Sequence, residues 1–230
     1  MAAHVPATGT ILDLACGDGY LLHVLARRFP RARLIGIDMS PEELAAARER
    51  LAGRAELQLA NARALPLEDG VCDAVACHMA FMLMDDAPSV VSEVARVLRP
   101  GGVFAAVING GRSEEPVLRA FILAMRDVES DEAIAPLLIG DPRTQDVAAI
   151  RDLFEDDFSH VDVTEYDLCL NGTPDQVRSV LLGFYNLHRL STAGNISVQE
   201  RLDAQIALST LADGTVPLSI PMRRILAIRK

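Results

Sequence analysis

The stretch "ILDLACGDGY", residues 11–20, constrains the fold more than any other part of the chain. An apolar run stops at Asp13, Gly17 and Gly19 follow, and "GYLLHVLARRFP" then places Leu21, Leu22, Leu25 and Phe29 at helical spacing. This reads as a buried strand, a tight turn and an amphipathic helix. In an open parallel sheet, ligands bind beyond the carboxyl ends of the strands. Glycines without a Cβ let the backbone come close to such a ligand. The helix start adds free N–H groups and a positive dipole end.

The pattern then repeats. "ARLIGIDM" is a second strand, and "SPEELAAARERLA" opens with Ser40, Pro41 and Glu43 in the order of a capping box. "AELQLANA" and "CDAVACHMAF" are the third and fourth strands. The helix "APSVVSEVARVLRP" is expected to stop at Pro100, and "GGVFAAVIN" is the fifth strand. Strands alternating with helices predict parallel βαβ units and a sheet covered on both faces. Residues 113–155 read as mostly helical, "HVDVTEYDLCL" as a sixth strand, and "MRRILAIRK" as the last. Two helices are expected between these, around 174–190 and 197–212. Pro217 and Pro221 are expected before the paired part of the last strand, because proline cannot donate to a ladder.

The predicted fold is therefore α/β, Rossmann-like and doubly wound, with a mostly parallel seven-stranded sheet. A helical insertion lies between strands five and six. With 230 residues, half of them hydrophobic, one domain is the expectation. Its parts are a cofactor-binding half (10–110), a helical insertion or lid (111–158) and a C-terminal set of strands and helices (159–230).

Charge and cysteines narrow the function. There are 22 Lys plus Arg against 32 Asp plus Glu, a net charge of -10. So acidic a surface disfavours a broad nucleic-acid interface. Cys16, Cys72, Cys77 and Cys169 form no C-x-x-C pair, and no His spacing suggests zinc. Cys16, Cys72 and Cys77 lie in or beside apolar runs, as buried reduced thiols of a cytosolic protein do. "MAAHVPATGT" lacks the features of a signal peptide, and no segment has the roughly 18 apolar residues of a membrane span. A cytoplasmic location with no membrane partner is expected.

Two cofactor classes use such a turn. A dinucleotide site wants G-x-G-x-x-G, but the third glycine position here is Leu22, and Asp13 sits badly beside a pyrophosphate. A ligand carrying an ammonium or sulfonium is instead favoured by Asp13. Asp38 ends the second strand, about 20 residues beyond the glycine turn, where a carboxylate accepts from ribose hydroxyls. That supports an adenosine ligand without choosing among cofactors.

"LDLACGDGYLL", "GIDMSPEELAAAR", "ANARALPLEDGVCDAVACHMAF" and "VARVLRPGGVFAAVI" occur in the order seen in class I S-adenosylmethionine-dependent methyltransferases. The chain resembles the small-molecule, type-11-like group of that class over about residues 10–108. The resemblance implies that Asp13, Ala15, Gly17 and Gly19 line the methionine end of S-adenosyl-L-methionine, released as S-adenosyl-L-homocysteine. It implies that Asp38 holds the ribose, Met39 packs on adenine, and Asn61 and Ala62 meet the adenine edge. Cys77 and His78 would lie beside the methionine moiety and the transferred methyl. Ala15 replaces the family's commonest first glycine, and Asn61 a frequent Asp whose acceptor role an amide oxygen can fill. Relatives usually have one or two helices before the first strand; here about nine residues precede it. Closure is then expected from the inserted segment or a second copy of the chain in a homodimer, or else the site is open.

Base candidates are less sharply marked. His78 is placed by the resemblance, and Tyr185 and His188 share a helical face at i and i+3. Asp85 and Asp86 precede Pro88 and a helix, so capping is favoured over a metal pair, and no metal is expected. Phe81, Met82 and Leu83 suggest an apolar acceptor pocket. Val117, Leu118, Phe121, Ile122 and Met125 either face that pocket or pack a lid helix onto the core. The expected function is direct methyl displacement onto a small, apolar organic molecule at oxygen or nitrogen, with carbon still open. The rivals are a catalytically silent cofactor-binding scaffold or regulatory subunit and, disfavoured by Leu22 and Asp13, an NAD(P)-dependent oxidoreductase.

Overall fold

A computed structural model describes residues 8–111, 113–134, 140–184 and 187–230, with Phe184 and His188 described by backbone alone. Seven strands form one sheet in the order β3-β2-β1-β4-β5-β7-β6. They are β1 (Thr10–Leu14), β2 (Arg33–Asp38), β3 (Glu56–Leu59), β4 (Cys72–His78), β5 (Leu98–Asn109), β6 (Phe158–Cys169) and β7 (Ser219–Arg229). The pairs β2–β3, β1–β2, β1–β4 and β4–β5 are parallel. The register sets Leu14 beside Ile37 and Asp38 beside Leu59, so the carboxyl ends of β1, β2 and β3 share one edge.

The helices are α1 (Tyr20–Arg28), α2 (Pro41–Leu51), α3 (Ala87–Val97), α4 (Pro116–Asp131), α5 (Val147–Phe154), α6 (Pro174–Phe184) and α7 (Thr192–Ser209). Ser40 caps α2 as its sequence predicts, accepting from the Glu43 N–H at 3.1 Å. Such a cap is worth about 1 kcal/mol. Asp86 caps α3, accepting from the Ser89 N–H, which is the capping role favoured over metal binding.

The chain divides into two compact units. Of the described residues, the first comprises 8–109, 140–165 and 223–230, and holds the parallel strands. Period-two alternation sends β1 side chains to both faces. Ile11 packs with Leu22, Leu25, Leu44 and Leu51 under α1 and α2. Leu12 and Leu14 pack with Val75, Phe104, Val90, Val94 and Ile150 under α3 and α5. Phe154 of α5 anchors this second layer. Its ring lies 5.3 Å from that of Phe104, 5.2 Å from Phe158 and 5.9 Å from Phe81, centroid to centroid.

Of the described residues, the second unit comprises 110–111, 113–134, 166–184 and 187–222. Its own core joins Val117, Leu118, Phe121, Met125 and Val128 of α4 to Val198, Leu202 and Ile206 of α7 and to Val177 and Leu181 of α6. Gly194 allows the α4–α7 approach: a Cβ there would lie 2.6 Å from Val128 Cγ1. The α4 residues expected to face an acceptor or to pack a lid are thus used in this helical core.

Residues 113–134 fall in the helical unit and residues 140–158 in the sheet unit. Two expectations are corrected. α3 ends at Val97, and β5 begins at Leu98 and runs through Pro100. Leu98 pairs with Cys72 ahead of a register shift, so the strand tolerates an irregular start around the proline. Pro221 lies inside β7, where its carbonyl accepts from the Gly110 N–H at 2.7 Å. An acceptor-only residue fits a strand position where its carbonyl makes the bond. All four cysteines are free; Cys16, Cys72 and Cys77 are buried and Cys169 is exposed.

Candidate cofactor cleft

The opening motif builds one side of a cleft. β1 delivers Asp13 and Leu14, and the chain then turns through Ala15, Gly17 and Gly19, whose φ angles are 56°, 51° and 77°. Ala15 therefore holds a left-handed conformation that glycine adopts more cheaply. Gly19 also sits against α2: a Cβ there would lie 2.9 Å from Leu51 Cδ1. The Cys16 N–H donates to the Ile37 carbonyl at 3.0 Å, tying the turn to β2.

Asp38 is the hinge of this side. Its Oδ2 accepts from the Gly17 N–H at 2.8 Å, and its Oδ1 from the Ser40 N–H at 2.9 Å. One carboxylate thus fixes the glycine turn and the entry to α2, and each oxygen keeps a further lone pair. Asn61 follows β3, and its Oδ1 accepts from the Arg63 backbone N–H at 2.9 Å.

Asp13 lies beneath. It is 1% exposed, and its Oδ2 has no hydrogen-bond partner. Burial, and then the Asp38 charge, push its pKa up to about 8. Burial, with Asp13 and Asp38 adding, pushes the Cys16 thiol up to about 12. Cys77 is raised as well, chiefly by burial and next by Asp13.

The cleft has a volume of about 280 Å³. Ala15, Asp38, Met39, Asn61 and Ala62 line it, with Leu14, Ile37, Ala60 and Arg63 beside them. Across from these stand Ala80, Leu83, Met84, Asp85, Asp86 and Val90. Met39 is 73% exposed and Leu83 50%, so two large apolar side chains are held at the cleft surface. Asp13, Gly17, Gly19, Cys77 and His78 are not in the lining: Cys77 is core, and His78 is exposed at the end of β4. Phe81 and Met82 are core too, so of the three apolar residues assigned to an acceptor pocket only Leu83 lines the cleft. Tyr185 lies outside the described residues. His188 is in the turn Leu187–Arg189, its side chain undescribed. Among the described residues, no group of three His, Cys, Asp or Glu is arranged to hold a metal ion.

Met79 follows His78 with a φ of 57°, a strained conformation for a long side chain. It turns the chain out of β4 into a short 3-10 turn, Phe81–Leu83. The sequence signal for this far wall was its place just beyond the carboxyl end of a central strand.

Strand order 3-2-1-4-5-7-6, the glycine turn after β1 and the acid ending β2 meet at one edge. Residues 12–106 match the family described as a methyltransferase domain. Over these residues the chain is similar to class I S-adenosylmethionine-dependent methyltransferases. The chain is 41% identical over 98 residues to the ubiquinone/menaquinone biosynthesis C-methyltransferase UbiE of Desulfotalea psychrophila, covering 42% of this chain and 40% of that protein. The chain spans less than half the length of the curated relatives it matches. The YcgJ protein of Bacillus subtilis has the same fold, with a TM-score of 0.65 at 18% identity over 99% of this chain and 94% of that one. Geranyl diphosphate C-methyltransferase from Streptomyces coelicolor A3(2), solved with Mg2+, geranyl diphosphate and S-adenosyl-L-homocysteine, gives 0.59 at 17% identity, covering 100% and 76%. No helix among the described residues is long and apolar enough to cross a membrane.

Proposed function

We propose that this chain binds S-adenosyl-L-methionine in the cleft and directs its methyl group onto a small, apolar organic acceptor at oxygen or nitrogen. The observation that carries the reading is Asp38, held by two backbone N–H groups with lone pairs left for ribose hydroxyls. Met39 offers an apolar face to adenine, and Asn61 and Ala62 meet the adenine edge. Asp13, buried behind the lining, favours a cationic ligand over a pyrophosphate at a distance rather than by contact. An ammonium or sulfonium nearby favours the charged form of a carboxyl that burial holds neutral.

When bound, S-adenosyl-L-methionine supplies a methyl already activated on sulfur. The chain's residues then have to align and desolvate more than to activate. The turn from Ala15 to Gly19 fixes the cofactor's approach to the sheet edge. The apolar wall of Leu83 and Met84 excludes water and favours an apolar acceptor. His78, exposed beside the strained Met79, is our candidate for taking a proton from an acceptor that holds one at working pH.

Calorimetric titration with S-adenosyl-L-homocysteine, S-adenosyl-L-methionine and NADH tests this reading, repeated on Asp38→Asn. Micromolar binding of the first two, weakened in the variant and absent for NADH, is expected. Binding of NADH alone overturns it. A panel of apolar alcohols, phenols and amines with labelled cofactor then identifies the acceptor atom; methylation at carbon alone overturns the assignment to oxygen or nitrogen.

A further inference from the structure

The far wall of the cleft does not hold itself. Residues 80–86 contain one 3-10 turn and no ladder of their own, yet they set Leu83 and Met84 against the ligand space. A segment more than fifty residues later clasps them. The Asp141 N–H donates to the Met84 carbonyl at 2.8 Å. Asp141 Oδ2 accepts from the Ala87 N–H at 3.3 Å, in the first turn of α3. Gly140, with φ 75°, lies so close above the wall that a Cβ would be 2.0 Å from the Met82 carbonyl oxygen.

The clasp is itself fixed. Asp141 is buried, and Arg143 donates to both its carboxylate oxygens, at 2.8 and 2.5 Å. Thr144 Oγ1 donates to the Asp141 carbonyl at 2.7 Å. α5 follows directly and is pinned by Phe154 in the aromatic cluster that also contains Phe81 of the wall. The wall and clasp are therefore joined at both ends, by the Asp141 hydrogen bonds and by the Phe81–Phe154 ring contact.

We propose that Gly140, Asp141 and Arg143 are positioning residues for the adenosyl end of the cofactor, acting through the Met82–Ala87 wall. The proposal rests on the cofactor reading of the cleft. None of the three residues is in the cleft lining, so their effect on binding passes through the position of Leu83 and Met84.

The test is titration of S-adenosyl-L-homocysteine and of adenosine into the full chain and into Asp141→Ala, Arg143→Ala and Ile225→Val. All are measured well below each protein's unfolding midpoint, with 13C-methyl methionine spectra recorded alongside. Ile225→Val trims one methyl group from the apolar core that also holds Phe81 and Phe154, leaves every hydrogen bond of the clasp in place, and reports a merely structural loss. Asp141→Ala is expected to weaken both ligands equally, by about tenfold, the scale of losing the one charged hydrogen bond that joins its side chain to the wall at Ala87. It should shift the Met84 methyl signal and leave that of Met39 in place. Ile225→Val should bind as the unaltered chain does. Arg143 is half exposed and removable without emptying the core; Arg143→Ala is expected to weaken both ligands in the same sense but less, and decides the matter if Asp141→Ala does not fold. Unchanged affinity in a folded clasp variant overturns the clasp and leaves the cofactor reading standing. Failure of the unaltered chain to bind either ligand overturns both.

Discussion

The two walls of the cleft are built by opposite strategies. The near wall is mainly local: apart from residues 60–63, it lies within Asp13 to Ser40, where Asp38 ties the glycine turn to the entry of α2 with two hydrogen bonds. The far wall is assembled at long range, since Met82–Ala87 is held by Gly140 and Asp141 and rooted by Phe154. A local wall leaves its pattern in one short stretch of sequence. A long-range wall leaves single residues scattered where no period connects them.

The comparison predicts where damage should fall. Phe154→Ala should have the largest effect, because it empties the aromatic cluster behind the far wall. A loss of about 3–5 kcal/mol in chemical denaturation is expected; a loss as small as a surface substitution would mean that the wall has another root. Gly140→Ala comes next. Left-handed backbone and the contact with the Met82 carbonyl together should cost about 2–3 kcal/mol and weaken S-adenosyl-L-homocysteine. Equal affinity in that variant would make the two walls independent.

On the near wall, Asp38→Asn should cost about 1.5–3 kcal/mol of ligand binding, since it removes the charge from two hydrogen bonds and from the ribose site. Calorimetry reads it directly. Asp13→Asn sharpens the comparison through pH. The folded pKa, near 8, lies above the usual 3.8, so the folded protein holds a proton that the unfolded chain releases between those values. The stability Asp13 contributes is complete below about pH 4 and is lost as pH rises towards 8. The ligand-free variant should therefore gain thermal stability over the unaltered chain as pH increases across that window. Parallel melting curves from pH 4 to pH 8 would sink this account. Ala15→Gly should do least. Relief of left-handed strain, about 1 kcal/mol, is offset by the roughly 0.4–1 kcal/mol that glycine adds to unfolded-chain entropy.

Legibility in the sequence follows the same division. The apolar runs of β1, β2 and β4 announce themselves, because a strand buried on both faces must be apolar throughout. Ser40 and Asp86 announce helix starts, because a cap acts within three residues. Asp38 was legible for the same reason: the turn it holds is nearby. Asp141 was not, because nothing in "IGDPRTQD" says that its carboxylate reaches α3. Nor did the spacing of α4 reveal that Val117, Phe121 and Met125 pack against α7 within a separate helical unit. An apolar helical face states that it is covered and leaves its cover unnamed. Pro221 fell inside β7 because a rule about donors ignores a position where the carbonyl makes the bond.

The cysteines give the molecule an experimental handle. Cys16 and Cys72 are buried with pKa values near 12, and Cys77 is raised further into the core. At pH 8 the thiolate fraction of the first two is about one part in ten thousand. Cys169, at the end of β6, is exposed. A maleimide dye should therefore label one position on the folded chain without any cysteine being removed by mutagenesis, and labelling at the other three should report unfolding as it happens.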